Sequence, residues 1–507
     1  MKIFNKLSII LVILCVFTSC NSDDDNSVEV IDTSSLTFKK IGTFTNGFGN
    51  EGYAEISAFD PLTNKLFVVN PNDLEISVWN LSNPTTPVPG TDITVDGIPN
   101  SVAVSNGLVA VALENSSNKQ ANGKIATYSS DTQVLLNTYT TGALPDMVTF
   151  SPDGKYIVSA NEGEPDNLYV NDPEGSVTII EVASGQTTTT GFTAFNGQII
   201  NNNFRVFGKG ASLAQDVEPE YVTISDDSKT AYISLQENNG LAIVDLDTRT
   251  ITELIGLGTK NHLLSQNQMD ASNRDDISGN FKNWPVFGIF QPDAIEFISI
   301  NGIEYIISAN EGDARDYDGF SEEERVKDLI LDPIAFPDAA TLQLDENLGR
   351  LKTTTANGDI DGDGDHDEIY SYGARSFTIW STAGNIVYDS GDFIGKKTFE
   401  LEPMLFNNDE GDVDDRSDDK GAEPEAVETL KIGDKALLFV GLERTGGVMV
   451  FDITTPSSPV FLDWMIDNSD IGPEGLIAIK ASDSPTGNDL VIITHEVSNT
   501  VAIYEVK

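Results

Sequence analysis

The sequence predicts an all-β fold: a seven-bladed β-propeller that is closed by the N-terminal strand and carries loop insertions. Two observations support this prediction, a repeat of about 45 residues and four strand-like segments in each repeat. A third observation concerns closure of the ring. The last unit ends on a third-strand pattern at 500–504, so the alternating segment that starts at Leu36 is expected to supply the missing fourth strand.

Six repeats, of the WD40/YVTN-like type, open on a proline, usually followed by an acid, and return on a second strand with an acidic end; a degenerate seventh at 54–70 comes first. The copy at 145–162 runs from PDMV to SANE, and the copy at 292–311 runs from PDAI to SANE. Because an antiparallel hairpin brings its end back beside its start, both acids are expected at the same end of the blade. Seven blades then direct their carboxylates at one mouth. The predicted mouth acids are Asp146, Glu162, Glu220, Glu237, Asp293, Glu311, Glu425, Glu443, Glu474 and Glu496.

Three units carry long insertions, at 188–216, 258–290 and 312–372. A toroid needs none of these segments to close, so they are expected to be functional or interaction loops. Within the largest insertion, residues 321–331 have a helix-like composition. Ser321 followed by Glu324 matches a capping box, which predicts the start of a helix.

The N-terminal region is predicted to be a targeting signal. Residues 1–19 are interpreted as a lipoprotein signal peptide, 20–35 as an acidic tether and 36–507 as the propeller. Cys20 is predicted to be lipidated, so outer-membrane lipid is an expected partner; plain secretion with an unmodified Cys20 is the alternative. The acids after Cys20 resemble the export signals of bacterial surface lipoproteins. The expected location is therefore the cell envelope, as a surface-exposed outer-membrane lipoprotein.

The charge of the chain limits its partners. Eighty acidic and 30 basic side chains among 507 residues give a formal net charge of -50. Such a field repels nucleic acid and free phosphate, so no nucleic-acid partner is expected and any anionic ligand must bind together with a cation. The chain has only three histidines, which are scattered, so neither a zinc site nor a histidine-dependent nucleophile triad is predicted.

The sharpest local motif is NGDIDGDGDHDE at 357–368, which matches a twelve-residue calcium loop. Gly362 takes the sharp turn at position six. A register that starts at Asp359 also fits the first five positions but places Tyr370 at position twelve. The alternative is a disordered acidic loop, but alternating aspartates repel one another without a hard cation, which favours calcium as the cofactor. The predicted metal ligands are Asn357, Asp359, Asp361, Asp363, Asp365 and Glu368.

A second acidic stretch at 407–420 fits no single metal-loop template. Two interpretations remain open. The stretch either supplies ligands to an ion at the mouth or is a solvated run of surface charge.

Four longer motifs resemble the choice-of-anchor I family: QDVEPEY at 215–221, LQEN at 235–238, SANEGDAR at 308–315 and YGARSF at 372–377. The resemblance extends over 36–507. The family includes proteins labelled mesenchyme-specific cell surface glycoproteins and some labelled alkaline phosphatase-like. The resemblance implies a seven-bladed propeller displayed at a cell surface by one of several anchors, and it implies no settled activity.

Two functions are compatible with these patterns. The first is a surface-anchored, calcium-binding recognition or adhesion propeller whose mouth and insertions contact a glycan or a protein. The alternative is a calcium-dependent phosphoesterase, phytase- or phosphatase-like, in which metal at the mouth activates a water. The sequence does not decide whether the protein is an enzyme. The candidate catalytic residues of the alternative are Glu311, Arg315, Arg444 and His495.

Overall fold

The computed structural model describes residues 32–409 and 411–507, and in this part the chain forms many small antiparallel sheets with few and short helices. The predicted all-β class is confirmed. The predicted signal peptide, Cys20 and most of the tether lie outside the described residues. Among the described residues, no helix has the length and apolar character needed to span a membrane.

Seven sheets of at least four strands lie in the described part of the chain, and we number them 1 to 7 by their first strands. Sheet 1 contains Ser57–Asp60, Lys65–Asn70, Glu75–Asn80 and Val88–Pro89, with Ile93–Thr94 also on the third strand. Sheet 2 contains Ile98–Ser105, Leu108–Glu114, Asn122–Ser129 and Leu135–Ala143. Sheet 3 contains Pro145–Phe150, Tyr156–Asn161, Ser176–Glu181 and Gln186–Gly191. Sheet 4 contains Pro219–Ile224, Thr230–Leu235, Gly240–Asp245 and Thr250–Gly256.

The remaining large sheets follow the same order. Sheet 5 contains Ile295–Ile300, Ile303–Asn310, Ser376–Ser381 and Ile386–Asp389. Sheet 6 contains Pro424–Ile432, Lys435–Leu442, Val448–Asp452 and Val460–Met465. Sheet 7 contains Pro473–Ile479, Asp489–His495, Thr500–Val506 and, as its fourth strand, Phe38–Thr45.

The shorter elements lie mostly in the insertions. The short strands are Thr259–Asn261, Phe287–Ile289, Asp316–Tyr317, Phe320–Ser321, Glu323–Arg325, Lys352–Thr354 and Tyr370–Ser371. The α-helices are Leu213–Asp216, Ala339–Leu342 and Phe393–Leu401, and the 3₁₀ helices are Thr33–Ser35, Thr193–Phe195, Val326–Asp328 and Pro403–Leu405.

The fourth strand of sheet 7 comes from the other end of the chain. Phe38–Thr45 pairs antiparallel with Thr500–Val506, with Phe38 opposite Val506 and Thr45 opposite Thr500. This strand covers the edge that Thr500–Val506 would otherwise expose, and an open edge is a template for unwanted strand pairing.

The hydrophobic core is divided among the gaps between neighbouring sheets. Seven apolar clusters each join one sheet to the next, and one of them joins sheet 7 to sheet 1. Middle strands such as Ala436–Leu442 are buried along their whole length. A strand with a packed sheet on each side is apolar on both faces, which explains why such segments read as continuous hydrophobic runs rather than alternating ones.

The insertions at 258–290 and 312–372 fold together. They share an apolar cluster that includes Trp284 and Val286 from the first and Leu348 and Ile369 from the second. Phe287–Ile289 also pairs in parallel with Tyr370–Ser371. The two insertions therefore form one small unit beside the large sheets.

The prediction of a helix at 321–331 is wrong. Residues Glu323–Arg325 form a strand that pairs with Lys352–Thr354, and only Val326–Asp328 makes a short 3₁₀ turn. The physical reason is tertiary: Glu322 is buried in an ion pair with Arg205, and Val326 packs into the shared apolar cluster. These contacts override a weak local helix preference.

Candidate functional site

A cavity of about 920 Å³ runs between the first strands of all seven sheets, each of which contributes lining residues. The first strand of every sheet contacts the first strand of the next, and that of sheet 7 contacts that of sheet 1. The cavity therefore lies between the first strands of the seven sheets. We call it the channel.

One end of the channel is acidic, and we call this end the mouth. The residues at the opening of each repeat all line it: Glu55, Asn100, Asp146, Glu220, Asp293, Glu425 and Glu474. Six of these seven side chains are carboxylic acids. Sequence reasoning missed Glu55, because its repeat lacks the proline that marks the other openings.

A repeated β-bulge places five of these seven residues. In sheets 3, 4, 6 and 7 the register shifts immediately after the opening proline, so the acid lies within the bulge. Sheet 2 shifts in the same way at Pro99, next to Asn100. A bulge re-aims a side chain relative to the regular strand, which explains how residues at the ends of different sheets converge on one axis.

Burial and mutual repulsion raise the pKa values of the acids at the mouth. Burial raises the pKa of Glu55 to about 8 and that of Asp146 to about 7, with smaller contributions from neighbouring carboxylates. Burial, followed by Asp293 and Glu237, also holds the pKa of Glu220 well above its usual range. Near neutral pH these groups either keep protons or need a cation. Oε2 of Glu220 and of Glu425 is buried without a hydrogen-bond partner among the described residues.

The closing acids of the hairpins are placed differently. Glu162 lines the channel, whereas Glu237, Glu311, Glu443 and Glu496 are not among the residues that line it. They nevertheless lie beside the opening acids. After burial, Glu311 is the largest cause of the raised pKa of Asp293, Glu443 of that of Glu425 and Glu496 of that of Glu474.

Glu311 and Glu443 meet a third carboxylate, Glu423, that the sequence did not single out. One oxygen from each of the three lies within 4.8 Å of the others, and all three residues are buried. Lys420 forms ion pairs with Glu311 and Glu423. Only the position of Glu423, immediately before the opening Pro424, could have marked it as a candidate.

The acidic stretch at 407–420 packs against this cluster. Asp414, Ser417, Asp418 and Asp419 are buried, and Arg416 Nε donates to Glu423 Oε1 at 2.5 Å. Of the two interpretations of this stretch, a solvated run of surface charge does not describe the packing. The stretch forms part of the wall beside the mouth.

The candidate catalytic residues Arg315 and Arg444 both bind carboxylates. Arg315 is 1% exposed, pairs with Asp216 and with Glu218 at 3.1 Å, and lies 4.7 Å from the ring centre of Phe207. Arg444 is about a third exposed, and its Nη2 lies 2.7 Å from Glu443 Oε1.

His495, the remaining basic candidate, is buried opposite the opening Pro473. Its Nδ1 donates to the backbone carbonyl of Thr500 at 3.2 Å. Burial lowers the pKa of His495 to about 4, so the ring is neutral at pH 7. In sheet 3 the matching position is Asn161, whose amide donates to Ser176 and Thr178. The side chain at this position binds the third strand.

Three of the six predicted ligands in the loop at 357–368 lie in two groups of neighbouring carboxylates. Oxygens of Asp359, Asp361 and Asp367 lie within 4.8 Å of one another, and those of Asp365, Asp367 and Asp332 form a second such set. Asp332 and Asp367 were not predicted. Asp332 comes near because Leu331 forms a parallel bridge with His366.

The other predicted loop ligands have protein partners. Asn357 Oδ1 accepts from Arg205 Nε at 3.0 Å, and Glu368 accepts from the hydroxyl of Tyr370. Asp363 Oδ1 accepts from the backbone N–H of Asp365 at 3.2 Å. Asn357 and Glu368, the first and last positions of the twelve-residue register, therefore bind protein partners and belong to neither aspartate group.

Comparison with known proteins identifies the family of most of the chain. A family profile described as "Choice-of-anchor I domain" matches residues 55–456. The chain belongs to the choice-of-anchor I family. The family predicted from the four motifs is thereby confirmed.

Two curated relatives are similar to parts of the chain. Gigasin-3a of Magallana gigas is 28% identical over 192 residues, which cover 33% of this chain and 67% of the relative. A mesenchyme-specific cell surface glycoprotein of Strongylocentrotus purpuratus is 24% identical over 350 residues, which cover 62% of this chain. The match spans only 42% of that relative.

Two solved structures are similar in outline. A chain of hydrazine synthase from Kuenenia stuttgartiensis matches with a TM-score of 0.49 and 13% identity, covering 91% of this chain and 97% of that chain. A streptogramin B lyase structure matches with a TM-score of 0.46 and 10% identity, covering 93% and 98%. Both TM-scores are below 0.5, and both identities are too low to transfer an activity.

Proposed function

We propose that this protein is a surface-anchored recognition or adhesion propeller that binds its ligand at the mouth with the help of calcium. The observation that carries the proposal is the convergence of six opening carboxylic acids on one end of the channel, with buried oxygens that lack hydrogen-bond partners. A buried acid without a partner is costly, and a bound cation is the usual way to compensate it.

The proposed architecture is a closed ring in which sheets 1 to 7 are the blades. The cycle of contacts between first strands and the seven apolar clusters between neighbouring sheets support it. In this arrangement the strand Phe38–Thr45 acts as the clasp between the two ends of the chain. The insertions join the sheets at the mouth end, where they are available to contact a ligand.

Calcium is proposed as the cation, at the mouth and in the loop at 357–368. In the loop, Asp359, Asp361 and Asp367 form the proposed primary ligand set, and Asp332 contributes to a second set. Oxygen-only ligands suit a hard cation, and calcium accepts the irregular geometry of such loops. The loop belongs to the separate insertion unit, so its role is proposed to be structural.

The surface location is proposed from three sources. The family name refers to alternative anchors, one relative is called a cell surface glycoprotein, and the sequence predicts a lipidated Cys20. The specific anchor proposed here is acylated Cys20 in an outer membrane. The proposed ligand is an extracellular glycan or protein.

The phosphoesterase alternative has narrower support. Its one favourable observation is the carboxylate cluster of Glu311, Glu423 and Glu443, which has the composition of a metal site that could activate water. Against it, Arg315 is buried between carboxylates, and Arg444 already pairs with Glu443.

One experiment separates the two functions. The wild type and a double variant, Glu220→Gln with Glu425→Gln, are applied to glycan and protein arrays in calcium and in chelator. We expect calcium-dependent retention that the double variant loses. Asp226→Asn is the matched control, because Asp226 also lines the channel but lies outside the ring of opening acids.

The same samples are tested for hydrolysis of a panel of phosphate esters. Retention that persists in chelator or in the double variant would contradict the recognition proposal. Calcium-dependent turnover that Glu311→Gln abolishes would favour the enzyme instead.

A further inference from the structure

We infer that Glu311, Glu423 and Glu443 form a specific divalent-cation site, and that Lys420 is a built-in cation that competes for it. The inference rests on the proposed cation-dependent mouth and deepens it, since it names the ligands of one site and the residue that regulates its occupancy. The cation is a hard divalent ion, with calcium as the expected occupant.

The spacing of the three carboxylates suits one ion. One oxygen from each residue lies within 4.8 Å of the others. Calcium–oxygen distances are about 2.3–2.6 Å, so two oxygens on opposite sides of the same ion are about 4.8 Å apart. Oxygen-only ligands select calcium, magnesium or manganese over the softer transition metals. Gln236 Nε2 donates to Glu311 Oε2 at 3.1 Å and orients that carboxylate.

A second observation is that one buried oxygen of the cluster has no hydrogen-bond partner among the described residues. Glu423 is 0% exposed, yet its Oε2 has no hydrogen-bond partner among the described residues. Arg444 Nε lies 3.7 Å from this oxygen and is itself buried without a hydrogen bond. Lys420 Nζ is 3.6 Å away. A buried acceptor that faces two cations without a hydrogen bond to either points to a missing ligand atom.

The backbone at Glu423 also departs from the ordinary. Its φ is 52°, in the left-handed region that a residue with a side chain adopts at a cost. Its backbone carbonyl accepts from the N–H of Glu443 at 2.9 Å, which ties the two carboxylate residues together. Strain of this kind persists where the surrounding structure fixes a side chain in a required position.

The charges explain the role of Lys420. Three cations, Lys420, Arg416 and Arg444, face the three carboxylates, so the cluster is balanced without a metal. Arg416 also pairs with Asp419 at 3.0 Å, outside the cluster. Both ion-pair partners of Lys420, in contrast, are cluster members. A flexible ammonium is the cation that an incoming divalent ion displaces most easily.

The test measures calcium binding by calorimetry in a chain that carries Asp361→Asn, so that the loop at 357–368 contributes less to the signal. Three further substitutions are compared in this background. Lys420→Met removes the competing cation and is expected to tighten the site at least tenfold. Glu423→Gln is expected to remove one bound ion per chain.

Lys431→Met is the matched control, because it also removes one lysine charge. Lys431 lies on sheet 6, and its Nζ is 3.9 Å from Asp226 Oδ2. Equal calcium affinity in Lys420→Met and Lys431→Met would overturn the inference, and so would an unchanged number of ions in Glu423→Gln. Lys420→Gln serves as a second variant if Lys420→Met does not fold, as judged from its melting temperature.

The outcomes also separate this inference from the proposed function. Lys420→Met could bind calcium more tightly while retention on the arrays does not depend on calcium. This result would support the site and contradict the recognition proposal. Calcium-dependent retention that persists in Glu423→Gln, with no lost ion, would support recognition and overturn this site.

Discussion

Glu296 provides a quantitative test of the electrostatics in the channel. It lies on the first strand of sheet 5 and lines the channel, where the hydroxyls of Thr223 and Thr429 each donate to its carboxylate at 3.4 Å. Burial raises the pKa of Glu296 from its ordinary value of 4.5 to about 7. We predict that Glu296→Gln, which keeps the shape but does not titrate, makes the protein more stable than the wild type at pH 8.

Proton binding by Glu296 determines how the free energy of unfolding changes with pH. A raised pKa means that the folded protein holds the proton more tightly than the unfolded chain does. The resulting stability is fully present below pH 4.5 and is lost as the pH rises through about 7. At 1.36 kcal/mol per pKa unit the full shift corresponds to about 3 kcal/mol, and solvent screening of this partly buried carboxylate reduces the value to about 2 kcal/mol.

The assay is chemical denaturation of the wild type and Glu296→Gln at pH 4.5, 6 and 8. The free energy of unfolding of the variant should rise by about 2 kcal/mol relative to the wild type between the first and last pH. Glu304→Gln, at an exposed position on the neighbouring strand, should follow the wild type. Parallel pH curves for wild type and Glu296→Gln would refute the reasoning.

Four further predictions address other parts of the molecule. Removal of residues 36–45 should lower the melting temperature by several degrees, because it exposes the edge strand of sheet 7. Arg315→Leu should destabilise the fold by about 3–5 kcal/mol in denaturation experiments, since it leaves buried carboxylates without their cation. Cys20→Ala should abolish metabolic labelling with a palmitate analogue. Asp361→Asn should remove calcium from the loop at 357–368, as measured by calorimetry.

Each of these predictions has a control variant or a contrary result. As a control, a chain that begins at residue 36 should have the same melting temperature as the full chain. If removal of 36–45 left the melting temperature unchanged, the proposal that this strand closes the ring would be contradicted. Arg249→Leu, at a partly exposed ion pair with Glu181, should cost far less than Arg315→Leu. Equal labelling of wild type and Cys20→Ala would exclude the lipid anchor. An unchanged titration in Asp361→Asn would exclude the loop as a calcium site.

The repeat allowed much of the fold and part of the mouth to be predicted. The opening residues stand at fixed places in a periodic pattern, and in five sheets a bulge after the opening proline directs the next residue towards the channel. Glu55 was missed only because its unit is degenerate. The all-β class and the family followed from the same local signals.

The parts that were missed depend on contacts between segments distant in sequence. Glu423 belongs to a connection between sheets, and its neighbours Glu311 and Glu443 come from two different sheets. Asp332 reaches the loop at 357–368 through a single bridge at Leu331. The helix predicted at 321–331 failed because Glu322 binds Arg205 from another insertion. None of these contacts leaves a periodic signal in the sequence.

The most direct test of the central claim is a crystal structure of the protein in calcium, with manganese soaked in to locate ions by anomalous scattering. We expect ion density among the mouth carboxylates and in the neighbouring cluster, where the ion contacts Glu423 and Lys420 is displaced from Glu311. Density confined to the loop at 357–368, with Lys420 still paired to Glu311, would contradict the claim that the mouth is a cation-dependent binding site.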